Sequence, residues 1–415
     1  MTSANGSPRQ HNLDHRWYMV GIWSYFTAMG IQGVLYPWIV AFVLDEPSSR
    51  VGIAQMLSML PMLLLSLFGG AAADRVELRT HLMRLQFIGV FPPLALAGLM
   101  MSGFLTYEIA ILYALSASAL GGFIMPARDS MLSRVAMKSL GGNIQRAVAM
   151  AIGGQFLGQV VGFLIGGPAE YIGAVPLLIA QSGFLVIAAL STSQLSPAPP
   201  TKREGARRSP LQDVKEGLAA IWADDRVRPV LVFMFFSGIL FMGVFLVVFP
   251  ILIRDVYHGS SREVGFVMMS FFGGIGISSL SLSRMRPIRR QGRAIMLAMC
   301  TGSTVMILIH FHPPVWGVYL LALAWGLAAG ISMSQSRAVV QEAASDALRA
   351  RMLAGFSLGT MGGGPLGSFL MGYVIAAIGP LDAVLVPVSL MILLWLSIFF
   401  FTPLWRMEAA RAGDY

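Results

Sequence analysis

Twelve apolar segments, each about 20 residues or longer, run through this chain and constrain its fold more than any other feature. An α-helix of roughly 20 apolar residues crosses a hydrocarbon core about 30 Å thick, and these segments lack the alternation of a membrane β-strand. With 56% hydrophobic and 12% charged residues, the chain has more apolar surface than a soluble fold of 415 residues could bury. The sequence therefore predicts an all-α membrane protein with twelve transmembrane helices.

The predicted spans form two groups of six, separated by one long polar stretch. They cover 17–44, 51–73, 82–103, 107–131, 145–168 and 172–193, followed by 229–253, 262–283, 294–311, 315–340, 351–378 and 381–403. We predict an N-terminal six-helix bundle at 1–195, a cytoplasmic linker at 196–228 and a C-terminal six-helix bundle at 229–415. Within the linker, Pro210 suits a first helical position, and Leu211, Val214, Leu218 and Ile221 recur as in an amphipathic helix.

The basic residues are distributed asymmetrically over the connections between these spans. Twenty-six of the 29 Lys and Arg residues lie on alternate connections, and only Arg50, Arg254 and Arg262 lie on the others. Because short connections rich in Lys and Arg stay in the cytoplasm, both termini are predicted to be cytoplasmic. The net charge of +9 then follows from orientation in the membrane and requires no nucleic-acid partner. The single cysteine, Cys300, excludes an intramolecular disulfide and a multi-cysteine metal site.

A glycine pattern repeats between the two halves. Glycines 154, 158, 162 and 167 in the fifth span coincide, at an offset of 205 residues, with glycines 359, 363, 367 and 372 in the eleventh. A duplicated six-helix unit is typical of secondary transporters, whose substrate site lies between the halves. Small residues at this spacing allow close helix packing, and the pattern by itself does not distinguish packing from a role in gating.

The connection between the second and third spans carries a family resemblance. The segment from Gly70 to Arg79 reads GAAADRVELR, which resembles the G-x-x-x-D-[RK]-x-G-[RK]-[RK] motif of the major facilitator superfamily. Glu77 replaces the usual glycine, as in the subgroup of bacterial siderophore and macrolide exporters. The segments Pro126-Ala-Arg128 and Leu211-Gln-Asp-Val-Lys-Glu-Gly217 also resemble that subgroup. The resemblance covers nearly the whole chain.

This resemblance implies a monomeric bacterial inner-membrane transporter that works by alternating access. It implies a charge relay of Asp74, Arg79 and Asp129 that stabilises the outward-facing state. The predicted gating residues are Asp74, Arg75, Arg79, Arg128 and Asp129. The alternative is that they are solvated loop charges. No basic residue stands between Glu108 and Arg128, where proton-coupled drug antiporters have an arginine, so coupling to protons is left open.

The resemblance also places the cavity between the first, second, fourth, fifth, seventh, eighth, tenth and eleventh spans. These spans contain almost no central charge, so neutral polar and aromatic residues are the candidates for substrate contact. The predicted substrate-binding residues are Tyr25, Gln32, Tyr36, Gln55, Tyr113, Gln155, Gln159, Phe241, Phe245 and Trp325. Each Gln could instead join two helices by a hydrogen bond, and each aromatic residue could pack against lipid or protein.

A cavity of this composition favours a small amphipathic or hydrophobic substrate, of drug or siderophore type, over a sugar or an amino acid. We predict an exporter; a carrier of lipid or lysophospholipid and a non-transporting receptor or scaffold are the alternatives. The G-x-S-x-G match at Gly355 to Gly359 lies within a predicted membrane helix, where the strand that a nucleophile elbow requires is missing. No catalytic residue, cofactor or metal site is predicted, and the expected partners are the substrate, membrane lipid and, if transport is coupled to them, protons.

Overall fold

The computed structural model describes residues 8–73, 75–139, 144–200, 210–285, 288–343 and 349–408. Within these ranges the regular structure is helical and contains no β-strand. The first half of the chain forms α1 Pro8–Trp38, α2 Ser48–Ala73, α3 Leu78–Ile88, α4 Phe91–Met101, α5 Tyr107–Ser139, α6 Ile144–Gly166, α7 Ala169–Ile172 and α8 Ala174–Ser193. The second half forms α9 Pro210–Ala223, α10 Val227–Ser237, α11 Phe249–Asp255, α12 Ser261–Arg284, α13 Gln291–His310, α14 Val315–Ala343, α15 Arg349–Ile378, α16 Pro380–Ala383 and α17 Leu385–Phe401.

Most of these helices have the length and composition of membrane spans. In the described ranges, eleven helical segments are long and apolar enough to cross a membrane. The apolar part of α6, Met150–Gly166, is shorter and occupies the position of the fifth predicted span. The predicted all-helical membrane class is confirmed, and the chain is a multi-pass membrane protein.

Three short segments of π-helix interrupt the α-helices. Ile39–Val43 continues α1, while Gly238–Met242 and Val244–Val248 join α10 to α11. The segments Ile39–Val43 and Val244–Val248 begin 205 residues apart and end 205 residues apart, which is the offset of the glycine repeat. The duplication is therefore present in the backbone as well as in the sequence.

The chain divides into two compact units. The first contains Met1–Ile39 and Leu60–Ala206, and the second contains Val40–Met59 and Arg207–Tyr415. In the first unit, α1 packs against α6 through glycine: a Cβ added to Gly162 would lie 2.7 Å from the Cα of Gly30 and would collide with the carbonyl oxygen of Thr27. Only hydrogen fits at such a contact, so these two helices lie nearly backbone to backbone.

The second unit repeats this contact with the equivalent glycines. A Cβ on Gly363 would lie 2.5 Å from the carbonyl oxygen of Phe235, and one on Gly367 would lie 2.8 Å from the carbonyl carbon of Ile239. Gly363 and Gly367 thus hold α15 against α10 and the following π-helix, as Gly158 and Gly162 hold α6 against α1. The repeated glycines therefore have a packing role in both units.

Candidate substrate-binding and gating residues

A hydrogen-bonded chain links three helices of the first unit. The Tyr113 hydroxyl on α5 donates to Oε1 of Gln181 on α8 at 3.0 Å, and Nε2 of Gln181 donates to Oε1 of Gln32 on α1 at 3.3 Å. The rings of Tyr36 and Tyr113 lie 6.2 Å apart, centroid to centroid. The structure thus brings three predicted substrate residues together, around an amide that the sequence analysis missed.

Gln181 is fully buried, whereas Gln32 is only partly buried. The sixth span was not among those expected to line the cavity, so Gln181 received no role. One signal was available: a glutamine in the middle of an apolar span needs a hydrogen-bond partner, because an unsatisfied amide is costly there.

Tyr25, the remaining candidate on α1, faces a different neighbourhood. It is 2% exposed, and its ring stands edge-on to that of Phe26 with the centroids 5.4 Å apart. The guanidinium carbon of Arg128 lies 4.7 Å from the centroid of the Phe26 ring, within cation–π range. Close to this group, the Tyr18 hydroxyl donates to the backbone oxygen of Arg128 at 2.9 Å. Tyr25, predicted as a substrate contact, therefore lies near the predicted gating residue Arg128.

The predicted aromatic residues of the second unit form one cluster. The Trp325 ring on α14 lies 5.4 Å from that of Phe241 and 6.0 Å from that of Phe245, and both contacts are edge-to-face. Phe271 on α12 completes the cluster at 4.2 Å from Phe245. Gly302 makes room for it, since a Cβ there would lie 2.8 Å from Nε1 of Trp325. All four aromatic side chains are more than nine-tenths buried, so this cluster is tightly packed.

The other candidate glutamines are not part of these clusters. Gln55 on α2 is buried, belongs to the second unit and accepts a hydrogen bond from the Ser58 hydroxyl at 3.4 Å. Gln155 and Gln159 on α6 are partly buried. The carbonyl oxygen of Gln159 is one of the atoms that a Cβ on Gly30 would strike, which places this part of α6 directly against α1.

The predicted gating residues are only partly described. Asp74 lies outside the described residues, and Arg75 is exposed. Nη1 of Arg79 donates to the backbone oxygen of Leu195 at 3.1 Å. Asp129 pairs with its neighbour Arg128 at 2.7 Å, and their side chains are 65% and 13% exposed. Nη1 of Arg128 is buried and has no hydrogen-bond partner among the described residues.

Glu77, which occupies the position of the family glycine, has a clear structural role. Its Oε2 accepts from the backbone N–H of Thr80 and its Oε1 from that of Ala198, both at 2.7 Å. Burial works to raise the pKa of this carboxyl, but these hydrogen bonds and the nearby Arg79 outweigh it, so its pKa lies below the ordinary value. An ionised Glu77 therefore caps α3 and holds the segment that follows α8.

Arg254, one of three basic residues that depart from the charge pattern, is another functional candidate that the sequence analysis missed. Its guanidinium donates to the backbone oxygen of Ala41, to that of Glu46 at 3.1 Å and to Asp255 at 2.6 Å. These residues all belong to the second unit. Its position on a connection that otherwise has few basic residues was the signal available in the sequence. An arginine on that side does not help to set the orientation, so it is expected to make specific contacts instead.

Comparison with known proteins identifies the family. Residues 11–414 match the model of a major facilitator family described as transmembrane secretion effectors. The chain belongs to this family. It is 27% identical over 388 residues to the multidrug efflux pump Tap of Mycolicibacterium fortuitum, covering 90% of this chain and 92% of that protein.

Solved structures show the same fold at low sequence identity. The nucleoside transporter NupG superimposes with a TM-score of 0.76 at 16% identity, covering 94% of this chain and 100% of that one. A bacterial homologue of the human lysosomal transporter Spinster gives a TM-score of 0.74 at 11% identity, covering 98% and 100%. The predicted superfamily and its all-helical fold are confirmed, with eleven candidate spans and the shorter α6 among the described residues, and the chain is a secondary transporter and not an enzyme.

Proposed function

We propose that this protein exports small amphipathic or hydrophobic molecules of drug type from the bacterial cytoplasm by alternating access. The observation that carries the proposal is the family match over residues 11–414, together with an efflux pump as a relative over 90% of the chain. The composition of the two candidate clusters supports it, because amides, phenols and aromatic rings contact amphipathic molecules without a fixed charge.

The protein is proposed to lie in the inner membrane as a monomer, with both termini in the cytoplasm. The distribution of Lys and Arg over alternate connections supports this orientation. In this orientation the α2–α3 connection, with Arg75 and Arg79, faces the cytoplasm, together with Arg128 and Asp129 at the end of the fourth span.

The substrate is proposed to contact Gln32, Tyr36 and Tyr113 in the first unit and Phe241, Phe245 and Trp325 in the second. Tyr25, Gln55, Gln155 and Gln159 are proposed as further contacts. Asp74, Arg75, Arg79, Arg128 and Asp129 are proposed to form the cytoplasmic gate. Nη1 of Arg128 is buried and finds no acceptor among the described residues, which supports a partner such as Asp74 outside them, because a buried donor without an acceptor is costly.

Transport by proteoliposomes tests the function. The purified protein is reconstituted, and uptake of an amphipathic fluorescent dye, a lysophospholipid and a sugar is measured with and without a pH gradient. We expect movement of the dye and none of the sugar. Movement of the lysophospholipid alone would favour a lipid carrier, and movement of none of the three would contradict export.

The gate is tested with Asp74→Asn and Asp129→Asn, which remove the charge with little change in shape. We expect each substitution to reduce the rate of dye transport about tenfold or more, because loss of one charge-assisted contact changes an equilibrium by about that factor. Asp382→Asn, on the short helix α16, is the matched control and should transport normally. Wild-type transport by both gate variants would contradict the gate while leaving the export proposal intact.

A further inference from the structure

Helix α9 has an apolar face that the described residues leave exposed. Gly217 and Ile221 are buried, and a Cβ on Gly217 would collide with the backbone of Arg351, so this side faces α15. Leu211, Leu218 and Trp222 are seven and four residues apart, which places them on a second side, and they are 57%, 36% and 59% exposed. A helix with one side on protein and an exposed apolar side next to it is suited to lie in a membrane interface.

A groove begins where α9 ends. It has a volume of about 390 Å³ and runs between the start of α10 and the end of α17. Trp222, Val232, Ile398 and Phe401 are among the residues that line it. Phe401 is 86% exposed, so its ring is open to contact with an acyl chain. The groove is thus continuous with the apolar side of α9.

The rim of the groove carries one positive and one negative residue. Arg228 and Asp225 both line the groove, and Nη2 of Arg228 donates to Oδ1 of Asp225 at 2.8 Å. Their side chains are 45% and 81% exposed. The neighbouring Asp224 and Arg226 also carry one charge of each sign: Asp224 accepts from the backbone N–H of Arg226 at 2.8 Å, and Arg226 donates to the backbone oxygen of Glu408 at 2.9 Å. The rim is therefore neutral overall, with its two charges side by side.

We propose that this groove binds a glycerophospholipid whose headgroup carries both a phosphate and a primary ammonium. An acyl chain covers Val232, Ile398 and Phe401, the phosphate lies on the Arg228 guanidinium, and the ammonium lies on the Asp225 carboxylate. Trp222 stands at the level of the headgroup, where the amphipathic indole ring is favoured. This lipid lies in the inner leaflet, because the linker that contains α9 is proposed to be cytoplasmic.

The neutral rim distinguishes this lipid from an anionic one. A phosphate alone would find a guanidinium already paired with a carboxylate, so its gain in charge interaction would be partly cancelled by repulsion from Asp225. A zwitterion places opposite charges on both groups and satisfies both. The groove lies within the second unit and shares no residue with the proposed substrate contacts or gate, so lipid binding and export can be measured separately.

Lipid binding is tested on the full-length protein in detergent by native mass spectrometry. Phosphatidylethanolamine and phosphatidylglycerol of identical acyl composition are titrated in turn. We expect the ethanolamine lipid to bind at least about tenfold more tightly, and Arg228→Gln and Phe401→Ala each to weaken it by about that factor. The matched controls are Arg290→Gln, an exposed arginine outside the groove, and Phe400→Ala, an exposed neighbour that does not line it.

The same variants test lipid binding independently of export. Arg228→Gln and Phe401→Ala should fold with little change in melting temperature in lipid-free detergent, because Phe401 is 86% exposed and Arg228, 45% exposed, is held by a surface ion pair that contributes little to stability. Equal binding of the two lipids would overturn the proposal. Wild-type affinity in the groove variants, or equal losses in the two controls, would overturn it as well, whether or not the protein exports a drug.

Discussion

At the scale of single residues, glycine decides how closely the helices of each unit approach. Gly162 and Gly30 meet across α6 and α1, and the space between the two backbones is too small for a methyl group. Gly153 lies on the same helix, and a Cβ there would meet no atom within 4 Å. Two glycines of one helix thus differ in what they do: Gly162 belongs to the repeated pattern and is in close contact, whereas Gly153 is outside that pattern and faces open space.

We predict that Gly162→Ala lowers the stability of the protein by about 1–3 kcal/mol, because the added methyl group forces α1 away from α6. Gly153→Ala is the matched control and should be neutral or slightly stabilising, since alanine favours the helix and meets open space. Thermal unfolding in detergent measures both. Equal melting temperatures for the two variants would show that the contact contributes nothing.

At the scale of secondary-structure elements, the chain from Tyr113 through Gln181 to Gln32 joins α5, α8 and α1. The residues that it brings together are 68 and 149 positions apart. Gln181 is a positioning residue in this arrangement, because it holds the side chains of a tyrosine and a glutamine that are proposed to contact substrate. Hydrogen bonds of this kind between membrane helices contribute roughly 0.6 to 2 kcal/mol each.

Replacing Gln181 with leucine is expected to destabilise the protein by about 1–2 kcal/mol, since Tyr113 loses its acceptor while the volume of the side chain is preserved. It should also change the relative transport of different dyes, because Gln32 and Tyr113 are no longer held in place. Ser193→Ala, at the end of the same helix, is the control. A loss of stability with an unchanged ratio of transport rates between dyes would limit Gln181 to a structural role.

At the scale of the whole molecule, the charge pattern predicts the orientation in the membrane. Ser102, just after α4, and Ser133, near the end of α5, are exposed residues at span ends that this pattern assigns to opposite sides. In a background with Cys300→Ser, we expect Ser102→Cys to react with a membrane-impermeant thiol reagent added to intact spheroplasts. Ser133→Cys should react only after the membrane is opened. Labelling of both in intact spheroplasts, or of Ser133→Cys alone, would contradict the proposed orientation.

Much of the fold could be predicted from the sequence because membrane insertion depends on local properties. An apolar run of sufficient length becomes a helix wherever it occurs, so eleven of the twelve predicted spans appear as candidate spans and α6 occupies the place of the other. The duplication was visible for a similar reason: close packing of helices needs glycine, and the glycines recur at a fixed offset.

The candidate site was harder to predict from the sequence. Of its candidate residues, Gln32, Tyr36 and Tyr113 meet in one unit and Phe241, Phe245 and Trp325 in the other. The remaining candidates lie outside both clusters: Tyr25, Gln55, Gln155 and Gln159.

The linear sequence thus determined the helical membrane class, the two related halves and the superfamily, since lipid selects on length, hydrophobicity and charge along the chain. Tertiary structure alone decided that Gln181 holds Gln32 and Tyr113, that Glu77 holds the segment after α8 and that Arg254 is bound by the backbone of Ala41 and Glu46. Each of these contacts joins residues more than 60 positions apart. Whether such residues meet depends on how the helices pack, and the apolar side chains that govern packing in a membrane are too alike to reveal it in sequence.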